Sequence, residues 1–169
     1  MLKKVGLSLN QVTLINVNFS LSPSLISGQV DAVIGAFRNF ELNQMEIVNR
    51  PGRAFYVEEE GVPAYDELIL VAHKSRLDDD RLRRFVGALE KSAQFVVNHQ
   101  REGWLLFIKG RKNLDDELNR RAFRDTLPRF ALRPAALDQG RYSRMAQFLK
   151  EQGLIKNVGR ISDYATELK

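Results

Sequence analysis

Three polar residues follow an uncharged apolar run in the first quarter of the chain. The run covers residues 32–37, and Arg38, Asn39 and Glu41 come directly after it. A guanidinium, an amide and a carboxylate together supply both hydrogen-bond donors and acceptors. In open α/β sheets, ligands bind outside the carboxyl ends of the strands, so side chains in this position are placed for recognition rather than for packing. We therefore expect a ligand-binding site at this loop.

The sheet that would carry this loop is predicted from short segments rich in β-branched residues. A strand is predicted at 31–37, because its uncharged run at 32–37 suits a strand covered on both faces, as in a parallel α/β sheet. Further strands are predicted at 12–17, 46–48, 54–57 and 67–73. The predicted fold class is therefore α/β, with a small mixed sheet followed by amphipathic helices.

Helical periodicity dominates the chain from residue 78 onward. Three aspartates at 78–80 can cap a helix whose apolar residues recur every three or four positions up to Val97. Later helices are predicted at 103–109, 115–126 and 138–152, the last of them stopped by Gly153. Earlier in the chain, Ser22 and Pro23 predict a helix start and Gly28 its stop, and a helical turn is predicted at 40–45.

Composition excludes several classes of function. With 44% hydrophobic and 28% charged residues, the 169-residue chain has the composition of a globular protein rather than a disordered one. The net charge of +5 arises mainly in the second half, where acidic residues are interleaved, which favours solvated helix faces over nucleic-acid binding. The absence of cysteine excludes disulfides, cysteine-ligated zinc and thiol nucleophiles.

The two histidines and the single tryptophan are interpreted as structural. His73 follows a predicted strand and His99 ends a predicted helix, and neither has a nearby set of acidic ligands. Trp104 lies in a predicted helix at a spacing typical of packing. We predict no metal site and no cofactor.

Three segments carry a resemblance to a known family. They are LISGQVDA at 25–32, GAFRNFE at 35–41 and GVPAYDEL at 61–68. With them, the chain resembles the C-terminal portion of the periplasmic substrate-binding proteins of ABC transporters that take up pyrimidine precursors of thiamine. The resemblance covers nearly all of the chain and begins partway through such a protein.

The resemblance implies specific ligand-binding residues in the loop. In that family an aromatic residue and a glutamate of this loop face the pyrimidine, and they map by motif onto Phe37 and Glu41. Phe37 replaces a tyrosine often found there, which keeps a stacking surface but removes a hydroxyl group. A carboxylate can accept from the exocyclic amine of an aminopyrimidine while an aromatic ring covers its face, with Asn39 beside them.

The resemblance also implies an architecture. It is of the periplasmic-binding-protein type II kind, in which two α/β lobes joined by a hinge clamp the ligand between them. Residues 1–63 would belong to the second lobe, and residues 64–169 would supply the return crossover strand and the C-terminal helices that complete the first lobe. Tyr65 and Asp66 would lie in the hinge, with a plain loop before a strand as an equal alternative.

The function implied is a solute-binding component of an ABC uptake system. It would bind hydroxymethyl- or formylaminopyrimidine in the periplasm and deliver it to a membrane permease, with no nucleic-acid partner and no catalysis. Any signal peptide would lie outside this chain. Since one wall of the cleft would be absent, we expect the chain alone to bind weakly or not at all. We also expect it to form a homodimer or to swap segments, which would cover exposed helices.

Two alternatives remain open. One is a thiamine-pyrimidine synthase-like enzyme, a related class that carries a cysteine-rich motif and an active-site histidine; the lack of cysteine here disfavours it. The other is the ligand-sensing module of a transcription regulator, which would need a helix-turn-helix segment upstream.

Overall fold

The regular structure of the chain is helical. A computed structural model describes residues 1–168, and within that range no helix has both the length and the apolar composition needed to cross a bilayer. The α-helices are α1 (Leu21–Ile26), α2 (Glu41–Ile47), α3 (Asp80–Asn98), α4 (Gln100–Ile108), α5 (Glu117–Thr126) and α6 (Gln139–Glu151). Short 3₁₀ helices occupy Leu2–Val5, Leu9–Gln11, Lys74–Arg76, Lys112–Leu114, Leu127–Arg129 and Ile161–Asp163.

The predicted α/β fold of the periplasmic-binding-protein type II kind is wrong for the described residues, which contain no β-strand. The segments at 12–17, 31–37, 54–57 and 67–73 are irregular, and most of 46–48 lies in α2. β-Branched residues favour a strand only where a neighbouring strand pairs with the backbone and covers the side chains. These segments lack such partners among residues 1–168, and their apolar side chains stay exposed, as at Ile34 (89%).

The predicted helices are confirmed to within about three residues at their ends, although α1 begins at Leu21 with Ser20, not Ser22, as its N-cap. Side-chain caps mark the starts of α5 and α6. The Asp116 carboxylate accepts from the Asn119 N–H at 2.7 Å at the start of α5, and Asp138 accepts from the Arg141 N–H at 2.9 Å at the start of α6. Gly153 ends α6 at a φ of 72°, a left-handed conformation that glycine adopts without steric cost.

The chain divides into two compact units. Unit 2 comprises residues 8–54 and 92–131 and contains α1, α2, α4 and α5 with the end of α3. Helix α5 is central in this unit, because it packs against both α2 and α4. Unit 2 also carries the loop with Phe37, Asn39 and Glu41.

Unit 1 comprises residues 1–7, 55–91 and 132 onward. It contains the start of α3 and all of α6, and α6 packs against the 3₁₀ helix Ile161–Asp163. The Tyr65–Asp66 segment belongs to this unit. The expected lobes, 1–63 and 64–169, refer to the architecture of a larger protein and stay a prediction.

Candidate functional site

The loop at residues 37–41 folds into a closed turn at the start of α2. The Phe37 carbonyl accepts from the N–H groups of Phe40 and Glu41 at 3.1 and 3.0 Å. In return, the Phe37 N–H donates to Glu41 Oε2 at 2.7 Å. The Glu41 carboxylate is therefore held at the first turn of α2, where the positive end of the helix dipole favours a negative charge.

Asn39 ties this turn to α5. Its Nδ2 donates to Thr126 Oγ1 at 2.7 Å, and the Thr126 hydroxyl donates in turn to the Ala122 carbonyl at 2.6 Å. The Asn39 amide is thus hydrogen-bonded to a residue 87 positions later in the chain. Its predicted contact with ligand stays a prediction.

Asn43 makes a second tie between the same two elements. This side chain is buried (6% exposed), and its Nδ2 donates both to the Asn39 carbonyl at 3.0 Å and to Asp125 Oδ2 at 2.8 Å. The hydrogen bond from Asn43, assisted by one from Arg124, holds the pKa of Asp125 below its usual value despite partial burial. Asp125 is thus kept ionised as an acceptor.

A cluster of aromatic side chains packs α5 against α4. The rings of Trp104 and Phe123 meet edge to face, with centroids 5.4 Å apart, and Phe107 lies 5.9 Å from Phe123. The Arg120 guanidinium lies 5.4 Å from the centroid of the Trp104 ring, a cation–π contact. The interpretation of Trp104 as a packing residue is confirmed.

Phe37 and Glu41 are joined by the hydrogen bond from the Phe37 backbone N–H to the Glu41 carboxylate, and Phe37 is 44% exposed. An exposed aromatic side chain and an anchored carboxylate in one turn can bind a planar ligand that carries a hydrogen-bond donor. The Glu41 carboxylate has two oxygens and about four lone-pair sites, so its bond to the Phe37 N–H leaves capacity for a ligand.

The predicted hinge residues lie in unit 1. Tyr65 and Asp66 line a cavity of about 380 Å³, and the Asp66 carboxylate accepts a hydrogen bond from the Arg141 guanidinium on α6. This contact places the segment against a helix of its own unit. The hinge role stays a prediction.

Both histidines have local partners. His73 Nδ1 lies 2.7 Å from Ser75 Oγ, and the His99 ring stacks on Phe95 with centroids 4.8 Å apart. Among residues 1–168, no three His, Cys, Asp or Glu side chains cluster in a way that could hold a metal ion.

Sequence reasoning missed the residues that anchor the loop. No sequence motif includes Asn43, Asp125 or Thr126. The one available signal is the four-residue spacing of Asn39 and Asn43, which places both on one side of a helix start. Their partners lie more than 80 positions away. The cavity side chains of α6 include Tyr142, Met145, Ala146 and Leu149, whose spacing is that of an apolar helix face and gives no signal of a cavity.

Comparison with known proteins gives matches to a family model and to relatives. The model described as NMT1/THI5 like matches residues 1–103, which include the loop and the Tyr65–Asp66 segment. A Haemophilus influenzae protein with a provisional thiamine biosynthesis name is 49% identical over 170 residues, covering 100% of this chain and 54% of that protein. No solved structure is significantly similar.

A second relative is named formylaminopyrimidine-binding protein and comes from Halalkalibacterium halodurans. It is 31% identical over 104 residues, covering 60% of this chain and 32% of that protein. The chain therefore spans about half or less of the length of these relatives. Since the family model matches more than half of the chain, the chain belongs to the NMT1/THI5-like family.

Proposed function

We propose that the chain is part of a binding protein for a thiamine-related aminopyrimidine, in the hydroxymethyl or formylamino form. The observation that carries this proposal is the turn at 37–41, in which the backbone N–H of the exposed residue Phe37 holds the Glu41 carboxylate. The turn lies within the residues matched by the family model, and a relative is named for binding formylaminopyrimidine.

The chemistry of the turn supports a ligand of this class. An aminopyrimidine is a flat ring with an exocyclic amine, so it can lie against the Phe37 ring while the amine donates to Glu41. The hydrogen bonds from Asn39 and Asn43 to α5 fix the backbone between these two residues. A contact geometry fixed before binding costs less conformational entropy when the ligand arrives.

The test is a calorimetric titration of the complete gene product that contains these 169 residues. We expect Glu41→Ala to weaken binding of both aminopyrimidines by about 1 to 3 kcal/mol, because the ligand amine would lose its acceptor. Glu102→Ala is the matched control, since Glu102 is an exposed carboxylate in the first turn of another helix of unit 2. Equal affinities for the Glu41→Ala and wild-type proteins would remove Glu41 from the site.

The same proposal includes the cellular role. The protein would act in the periplasm and hand its ligand to an ABC permease. The resemblance of the three sequence segments to periplasmic binding proteins supports this role. Loss of pyrimidine uptake on deletion of the gene, restored by the wild-type gene and not by a Glu41→Ala allele, is the expected result.

A further inference from the structure

A cavity of about 380 Å³ in unit 1 is left unused by the proposed function. One wall is α6 and the opposite walls are the segments around Tyr65 and Tyr164. Its volume falls within the range of small-molecule sites, about 300 to 1,000 Å³. All of its lining residues belong to unit 1.

The walls of the cavity are rich in aromatic and polarisable groups. Tyr65, Tyr142 and Tyr164 contribute rings, and those of Tyr142 and Tyr164 lie 6.3 Å apart at an angle of 30°. Met145 adds a thioether, which contacts aromatic rings favourably. Burial, reinforced by the nearby Asp66 carboxylate, raises the pKa of Tyr142. Its phenol therefore stays neutral at physiological pH, and these walls favour a flat, uncharged ring.

The charged part of the cavity is an ion pair. The Asp66 carboxylate accepts from the Arg141 guanidinium, whose Nε also lies 3.7 Å from Asp138 Oδ2. Because Asp66 and Arg141 carry opposite charges, the pair presents a hydrogen-bond acceptor beside a donor without favouring a charged ligand.

From this geometry we propose that the cavity binds a small, neutral, planar heteroaromatic molecule with a hydrogen-bond donor beside an acceptor on one edge. The donor bonds to the Asp66 carboxylate and the acceptor receives from Arg141, while the tyrosine rings cover the flat faces. The choice of an aminopyrimidine as the probe rests on the proposed function. The cavity would then be a second binding site for this ring, in unit 1, besides the loop in unit 2.

The test is an NMR titration of the labelled complete gene product that contains these 169 residues, with 4-aminopyrimidine at neutral pH. We expect saturable shifts at Tyr65, Tyr142 and Tyr164. Pyrimidine without the amino group should bind at least fivefold more weakly, because it lacks the donor for Asp66. Asp66→Asn should weaken binding of 4-aminopyrimidine by a similar factor. Asp163→Asn is the control, since Asp163 pairs with Arg160 in the same unit and does not line the cavity.

Three results would overturn the inference. They are shifts confined to Phe37 and Glu41, an absence of saturable shifts in unit 1, or equal effects of Asp66→Asn and Asp163→Asn. The first of these would leave the proposed function standing. Conversely, cavity shifts together with an unchanged affinity of the Glu41→Ala protein would reject the loop site and keep the cavity.

Discussion

At the scale of single residues, two asparagines hold the loop against α5. Asn39 and Asn43 lie four positions apart and both donate to residues at the C-terminal end of α5. Neither needs to touch a ligand to matter for binding. By fixing the backbone of the turn, they support the hydrogen bond between the Phe37 N–H and the Glu41 carboxylate.

The Asp125 carboxylate makes stability depend on pH. Because its pKa is lowered in the folded protein, its contribution is fully present above the ordinary value of 3.8 and is lost as the pH falls through the folded value. We expect wild-type protein to be more stable than Asp125→Asn at pH 7, with the difference shrinking below about pH 4. Thermal unfolding of both proteins between pH 7 and pH 3 measures this. A constant difference across that range would contradict the assignment.

The site could be predicted from sequence only in its local part. Phe37, Asn39 and Glu41 lie within five positions and share a motif, so a single segment identifies them. Thr126 and Asp125 meet this segment only through the packing of α5 against α2. No local pattern encodes a contact between residues so far apart, which is why these anchors were missed.

At the scale of secondary-structure elements, helices and strands differ in what they require from the rest of the chain. A helix forms its backbone hydrogen bonds internally, so periodicity and caps were enough to predict α3, α5 and α6. A strand depends on a neighbour, and the predicted strands at 31–37 and 67–73 have none within the described residues. The α/β prediction was wrong for that reason.

The Asp116 cap stabilises α5, the helix to which Asn39 and Asn43 bind the loop. Asp116→Ala should cost about 0.5 to 2 kcal/mol, because the Asn119 N–H loses its acceptor. Urea unfolding monitored by helical circular dichroism measures the change. Asp31→Ala is the control, since Asp31 is exposed and caps no helix. Equal midpoints for the two variants would argue against a capping role.

At the scale of the whole molecule, exposed apolar side chains favour self-association in solution. Leu68 and Val71 are 89% and 86% exposed, and neighbouring side chains of the same segment are also open. We propose that the chain covers such surface by forming a homodimer. Sedimentation velocity should show concentration-dependent association that the Leu68→Ser, Val71→Ser double variant weakens. Val5→Ser, at a position 67% exposed in unit 1, is the control. A monomer at all concentrations would contradict the proposal.

The contact between Asn39 and Thr126 also has a consequence for biosynthesis. The two residues are 87 positions apart, and ribosomes add about 5 to 20 residues per second. The turn therefore leaves the ribosome roughly 4 to 17 s before its anchor does. During that interval a nascent chain carries the loop without the tie to α5, so a ligand that needs a fixed turn can be recognised only after translation has passed α5.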